Sequence, residues 1–149
     1  MVNSMKNNFY FSDSENSFIG NIFILNKNIE LEIKQNKSEI NWDEAERFLE
    51  SLNDKYILHV LDSSVKLLME FIKIVPFGVN EPYNMYDFRL EAIIYYGKVT
   101  NNVFSDIVDR FEFVFKLYHS NYGECVDPYG NYIVRIDNRL ITGIRREQV

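Results

Sequence analysis

Residues 86–96 read YDFRLEAIIYY and residues 109–119 read DRFEFVFKLYH, and between them these two stretches decide the fold. In the first, Phe88, Leu90, Ala92, Ile94 and Tyr96 recur at every second position; in the second, Phe111, Phe113, Phe115 and Leu117 do the same. A period of two belongs to an extended chain with one buried face, so each stretch predicts a long strand with these side chains in the core. The opposite faces carry Arg89 and Glu91, and Arg110 and Glu112, charges placed to pair weakly across strands. On that outer face also fall Ile93, Tyr95, Val114 and Tyr118, an apolar band that is either covered or offered to a partner.

Upstream, FIGNIFILNKNIELEIK (18–34) sets Ile22 and Ile24 before an Asn-Lys-Asn turn and Ile29, Leu31 and Ile33 after it. This predicts a hairpin with a two-residue loop at Asn26 and Lys27, pairing Ile24 with Ile29 and Ile22 with Leu31 on one face. Between hairpin and strands the period changes. Ala45, Phe48, Leu49, Leu52 and Tyr56 fall at helical spacing, and Asn41 followed by Glu44 has the form of a capping box, so a helix starts near Trp42. Asn53 and Asp54 interrupt it, and Asp54 caps a second helix with the stripe Ile57, Leu61, Val65, Leu68 and Ile72, ended by Pro76 and Gly78. Acids on the first helix suit a helix N-terminus and a solvated outer face.

Downstream, the turn signal DPYG (127–130) leads to a last hairpin joining Tyr132, Val134 and Ile136 to Leu140, Thr142 and Ile144. Keeping both sets on one face takes an odd loop, Asp137 to Arg139, whereas Asn138 would also suit a two-residue turn. Burial favours the odd loop. The expected architecture is α+β: an N-terminal β-hairpin, two helices, then a four-strand antiparallel meander, with the helices packed on one face of the sheet. Residues 1–17 form a flexible or short-strand lead-in, and 18–149 a single domain.

The chain has 149 residues, enough for one core. Its 22 acidic and 16 basic residues give a net charge of -6, which argues against nucleic-acid binding without a basic stripe and favours a basic protein partner. The nearest approach to such a stripe, Arg145 and Arg146, reads as solvated terminal charge. One cysteine, Cys125, leaves no disulfide framework and no CxxC metal pair. Without an apolar run of signal or membrane-span length, the expected location is the cytoplasm, with no membrane association.

No nucleotide-binding, hydrolase, zincin or EF-hand motif occurs, so no catalytic residue, cofactor or metal is assigned. Cys125 with His119 and Asp127 is the sharpest catalytic constellation, yet a thiolate needs a base within reach and usually a helix N-terminus. The plainer reading is a small residue beside a turn. Tyr122, Glu124, Asp127 and Tyr129, with Glu91, Tyr95 and Glu112 on the sheet, are the candidate partner-binding set, an acidic aromatic surface.

The order of elements, with the ending YGNYIVRIDNRLITGIRRE (129–147), resembles the small immunity proteins of bacterial toxin and immunity systems, including those of contact-dependent growth inhibition. The shared pattern is a hairpin, paired helices and a closing strand pair of the form Tyr-Gly-x-Tyr-x-Val-x-Ile with a late Gly, here Tyr129 to Ile136 and Gly143, over residues 18–147. The resemblance implies a cytoplasmic inhibitor that binds the C-terminal domain of one cognate toxin, a nuclease in particular, and occludes its active site or substrate surface. The alternatives are a small cysteine- or histidine-dependent enzyme and a housekeeping ligand-binding or scaffold domain.

Overall fold

The computed structural model describes residues 6–52, 55–74, 79–100 and 106–149. In chain order it contains β1 (Tyr10–Ser12), β2 (Ser17–Ile24), β3 (Lys27–Ile33), α1 (Trp42–Ser51), α2 (Lys55–Ile74), a 3-10 turn at Tyr83–Met85, β4 (Tyr86–Thr100), β5 (Ile107–His119), β6 (Gly130–Asp137) and β7 (Leu140–Gln148). The strands form one seven-stranded sheet in sequence order. Every neighbouring pair is antiparallel except β3 and β4, which run parallel from Glu30↔Ala92 to Ile33↔Tyr95.

This corrects the expected architecture. The N-terminal hairpin does not stand apart from a four-strand meander; with β1 it extends a mixed sheet of seven strands. The reason is burial. Ile29, Leu31 and Ile33 are almost fully enclosed, which an isolated hairpin cannot achieve, and the two helices between β3 and β4 form a connection long enough for a parallel pair.

The hairpin register also differs from the predicted one. The loop is Leu25 and Asn26, both at positive φ (54° and 61°), so Ile24 faces Lys27 and Ile22 faces Ile29. Two consecutive left-handed residues make the turn whose twist matches the flanking strands. The slip is two residues, so the apolar side chains keep their face.

Helix α1 is capped by Asn41, whose Oδ1 accepts from the Glu44 amide at 3.2 Å. The Asn41 amide donates to Gln35 Oε1 at 3.1 Å, so Gln35 serves the second half of the capping box. In α2 the buried stripe is Ile57, Val60, Ser64, Leu68 and Ile72; Leu61 and Val65 are only half-buried. Ser64 is tolerated there because its hydroxyl donates to the Val60 carbonyl at 2.7 Å. The predicted cap Asp54 and stop residues Pro76 and Gly78 lie outside the described residues. Both helices lie across the core face: Phe48 stacks on Tyr95 and leans on Phe111, and Phe71 meets Tyr132 edge-on.

Strand β4 breaks the alternation read from its sequence. Leu90 faces Phe115 but Ala92 faces Val114, so Glu91 is an extra residue that flips the side chains from Ala92 to Tyr95. Ile93 and Tyr95 therefore enter the core, and Ala92, Ile94 and Tyr96 turn outward. A second bulge, at Tyr96, is followed by Gly97 at φ 72°, a conformation that favours glycine.

The last hairpin solves the same problem differently. Its loop has two residues, Asn138 and Arg139, at φ 48° and 70°. Thr142 bulges between the Ile136↔Ile141 and Arg135↔Gly143 pairs, so Ile141 and Ile144 pack on the core and Leu140 is left exposed. The odd residue is in the strand, not the loop.

Leu25 holds a left-handed conformation that costs a branched side chain about 1–2 kcal/mol. Replacing the loop by the preferred pair, Leu25→Asn with Asn26→Gly, is expected to stabilise the fold by about 1 kcal/mol in a denaturant titration. An unchanged or lower midpoint would contradict a turn at Leu25 and Asn26.

Candidate protein-contact surface

Among the described residues three carboxylates are buried, and each is held by arginine. Glu112 in β5 is fully enclosed on the sheet face opposite the helices. Its Oε1 accepts from Tyr96 Oη at 2.8 Å and Arg145 Nη2 at 3.1 Å; its Oε2 accepts from Arg145 Nη1 at 2.5 Å and Arg135 Nε at 3.1 Å. Burial pushes the Glu112 carboxyl up, but the hydrogen bonds and charge of Arg145, Tyr96 and Arg135 outweigh it and hold it below the usual carboxylate range. Burial and this carboxylate together raise the Tyr96 phenol, which stays a donor.

Asp137, at the end of β6, accepts from Arg110 Nε at 2.7 Å and Nη2 at 3.1 Å, and from Thr142 Oγ1 at 3.0 Å. Desolvation opposes ionisation there, and the Arg110 and Thr142 bonds overcome it. Asp127 accepts from Arg146 Nε at 2.7 Å and Nη2 at 2.9 Å, and from Tyr132 Oη at 2.8 Å. The Arg146 bonds are the main reason its carboxyl lies low. A side chain at Gly130 would fall on this pair, which is why the turn ends in glycine. Arg145 and Arg146 are thus not solvated terminal charge; one serves each face of β7.

Above Asp127 the β5–β6 loop is pinned at several points. His119 N donates to Glu124 O at 2.8 Å, Gly123 N to His119 O at 2.9 Å and Val126 N to Leu117 O at 3.0 Å. Gly130 N closes the DPYG turn on Asp127 O at 3.1 Å, and Lys116 Nζ reaches Pro128 O at 3.1 Å. His119 Nδ1 accepts from the Asn121 amide at 3.2 Å, so Nε2 carries the proton it directs at Glu81 Oε2, 2.7 Å away. The Glu81 segment is held by Tyr86 Oη, which accepts from the Asn80 and Glu81 amides at 3.0 Å each. Tyr122 lies against the His119 ring, with centroids 4.6 Å apart, and keeps 73% of its surface exposed; Tyr129 keeps 67%.

Of the predicted contact residues, the structure brings Tyr122, Glu124 and Tyr129 together on this loop, all exposed. Glu91 is exposed on the sheet and accepts from Tyr118 Oη at 2.9 Å, with Arg89 over the Tyr118 ring at 4.3 Å. Asp127 and Glu112 are buried in ion pairs, and the Glu91 bulge turns Tyr95 under α1, so none of the three lies on an outer surface that a partner protein could cover. None of Arg110, Arg135, Arg145 and Tyr96 is expected from the sequence as the partner of a buried acid: Arg110 reads as a weak cross-strand charge, Tyr96 as a core residue and Arg145 as solvated charge. Acids set among apolar neighbours in β5 and β6 are the signal that points to them.

The Cys125, His119 and Asp127 constellation does not assemble. Cys125 bridges Tyr118 and so shares its side of the sheet, whereas His119 sits on the core side with Leu117, and Asp127 is taken by Arg146. Among the described residues no group of three or more His, Cys, Asp or Glu is placed to hold a metal ion, and no helix is long and apolar enough to cross a membrane. Comparison with models of known families, with curated proteins and with solved structures yields no match.

All three buried carboxyls titrate below their unfolded values, so the folded chain binds fewer protons in acid than the unfolded one. Their contribution is complete above the ordinary carboxylate range of about pH 4 and fades as pH falls through the depressed values. Denaturant titrations should show stability level near neutrality and dropping below about pH 4.5. Glu112→Gln should cost about 3 kcal/mol at pH 7, since Arg145 and Arg135 lose their counter-charge, and should flatten that acid slope. A slope unchanged in the variant would show that Glu112 is not among its sources.

Proposed function

We propose that this chain is an immunity-type inhibitor, a cytoplasmic protein that binds the C-terminal domain of one cognate bacterial toxin and blocks its active site or substrate surface. The observation that carries the proposal is the pair of tyrosines, Tyr122 and Tyr129, exposed beside Glu124 and Glu81 on segments anchored from beneath. Exposed tyrosines on a fixed backbone give contact area at small entropy cost, which separates a binding loop from a merely solvated one.

The partner's character follows from charge. An acidic chain with acidic groups around its exposed rings meets a cationic surface most readily, and the substrate cleft of a nuclease is such a surface. Inhibition is by occlusion, with Tyr122 and Tyr129 filling recesses near the cleft and Glu124 and Glu81 facing the cations that would otherwise hold phosphate. The same charge disfavours nucleic acid as the chain's own ligand.

Titration calorimetry against the toxin domain encoded beside this gene should give a complex at submicromolar concentration. Tyr122→Ala and Tyr129→Ala should each weaken it by about 10-fold or more while leaving the unfolding midpoint within about 0.5 kcal/mol. No complex at micromolar concentration would end this proposal, and full affinity in the double variant would move the contact elsewhere.

A further inference from the structure

The opposite end of the sheet holds a feature that toxin binding does not use. A cavity of about 430 Å³ opens between α1, the start of α2 and the ends of β4 and β5. Its volume lies within the range of small-molecule sites, about 300–1,000 Å³. The floor is aromatic: Phe48 and Tyr95 stack with centroids 4.4 Å apart and planes 19° from parallel, and Phe111 lies 5.0 Å from Phe48. Tyr56 forms one wall, with the Arg139 guanidinium 4.1 Å over its ring.

The rim reverses the sign of the protein. Arg47, Lys98 and Arg139 line the cavity against Glu44 and Asp109, while Arg110 is spent on Asp137. Lys98 is largely exposed and stands 3.9 Å from the half-buried Glu44, a long contact that leaves the ammonium room to turn toward a guest. Arg47 is exposed on the outer turn of α1 and faces the same space. In a chain of net charge -6, a local excess of cations around ring faces selects for one kind of ligand.

We infer that this cavity binds a small ligand made of a planar ring and one anionic group, the ring against Phe48 and Tyr95 and the anion against Arg47 and Lys98. The rings supply flat apolar area, and guanidinium and ammonium groups supply charge-assisted hydrogen bonds to a phosphate or carboxylate. Tyr95 adds a polar point inside: burial, with Glu44 and Asp109 nearby, pushes its phenol up to about 12, so it is a neutral donor at physiological pH. Glu44 and Asp109 remain at the rim for ring nitrogens or hydroxyls. Either a phosphate or a carboxylate meets this chemistry, and the test separates the two.

Titration calorimetry at about 1 mM ligand would use adenosine 5′-monophosphate, indole-3-acetate, adenosine and inorganic phosphate, with the full chain. At least one of the two aromatic anions should bind with a submillimolar Kd and raise the unfolding temperature, and adenosine and phosphate should bind at least about 10-fold more weakly. Binding of only one anion assigns the phosphate or the carboxylate as its class. The double variant Arg47→Gln with Lys98→Gln, both exposed and outside the core, should keep its unfolding temperature and lose about 10-fold in affinity. No binding of either aromatic anion, phosphate binding as tight as the nucleotide's, or undiminished affinity in the double variant would each overturn the assignment. None of these outcomes bears on the toxin complex, whose proposed contacts lie at the far end of β5.

Discussion

A carboxylate enclosed on a sheet face against which neither helix packs has to be neutralised by the strands themselves, and Glu112 is neutralised by three of them. Tyr96 comes from β4, Arg135 from β6 and Arg145 from β7, so one side chain in β5 joins four strands. An uncompensated charge at this position would cost several kcal/mol, more than the margin by which many domains are folded. The strand geometry serves the same end. Tyr96 reaches Glu112 because it is the extra residue of a bulge, and the bulge is possible because Gly97 follows at positive φ.

The other two acids extend this logic to the edge of the sheet. Asp137 draws in Arg110 and Thr142, and Asp127 draws in Arg146 and Tyr132, so β7 is tied at its start, its middle and its end. An edge strand made of LITGIRREQ has few apolar residues with which to hold itself by burial, and ion pairs take that part. Asp127 has a second consequence. It anchors the DPYG turn to the core, and this fixes the backbone from which Tyr129 projects.

Much of this is legible in the amino-acid order alone. The strands at 86–96 and 109–119, both helices, the two hairpins and the exposed Tyr122, Glu124 and Tyr129 follow from period and turn chemistry. Parity does not. A bulge adds one residue without any mark in composition, so Glu91 silently exchanges the inner and outer sets of β4 and carries Tyr95 inward. Thr142 does the same in β7, where an odd loop is the simpler expectation. The joining of hairpin to meander is hidden for another reason: a parallel pair across two helices leaves no local signal, only the demand of Ile29, Leu31 and Ile33 for a neighbour. Charge misleads because a sequence shows sign but not burial, so Arg145 and Arg146 look solvated and Glu112 and Asp127 look available.

Burial also changes what net charge means. Arg110, Arg135, Arg145 and Arg146 are committed to Glu112, Asp127 and Asp137, four cations against three anions. The remaining side chains are therefore one charge more negative than the -6 of the whole chain. That remainder is unevenly divided. Around the aromatic cavity Arg47, Lys98 and Arg139 stand against Glu44 and Asp109, whereas at the tyrosine end Glu81 and Glu124 stand against Lys116. For the inhibitor proposed above, a cationic partner would meet the tyrosine end more readily than the cavity end, an effect that ionic strength weakens over a Debye length of about 8 Å at physiological salt. The proposed contact loop thus combines a local excess of acid with a backbone fixed by its own hydrogen bonds.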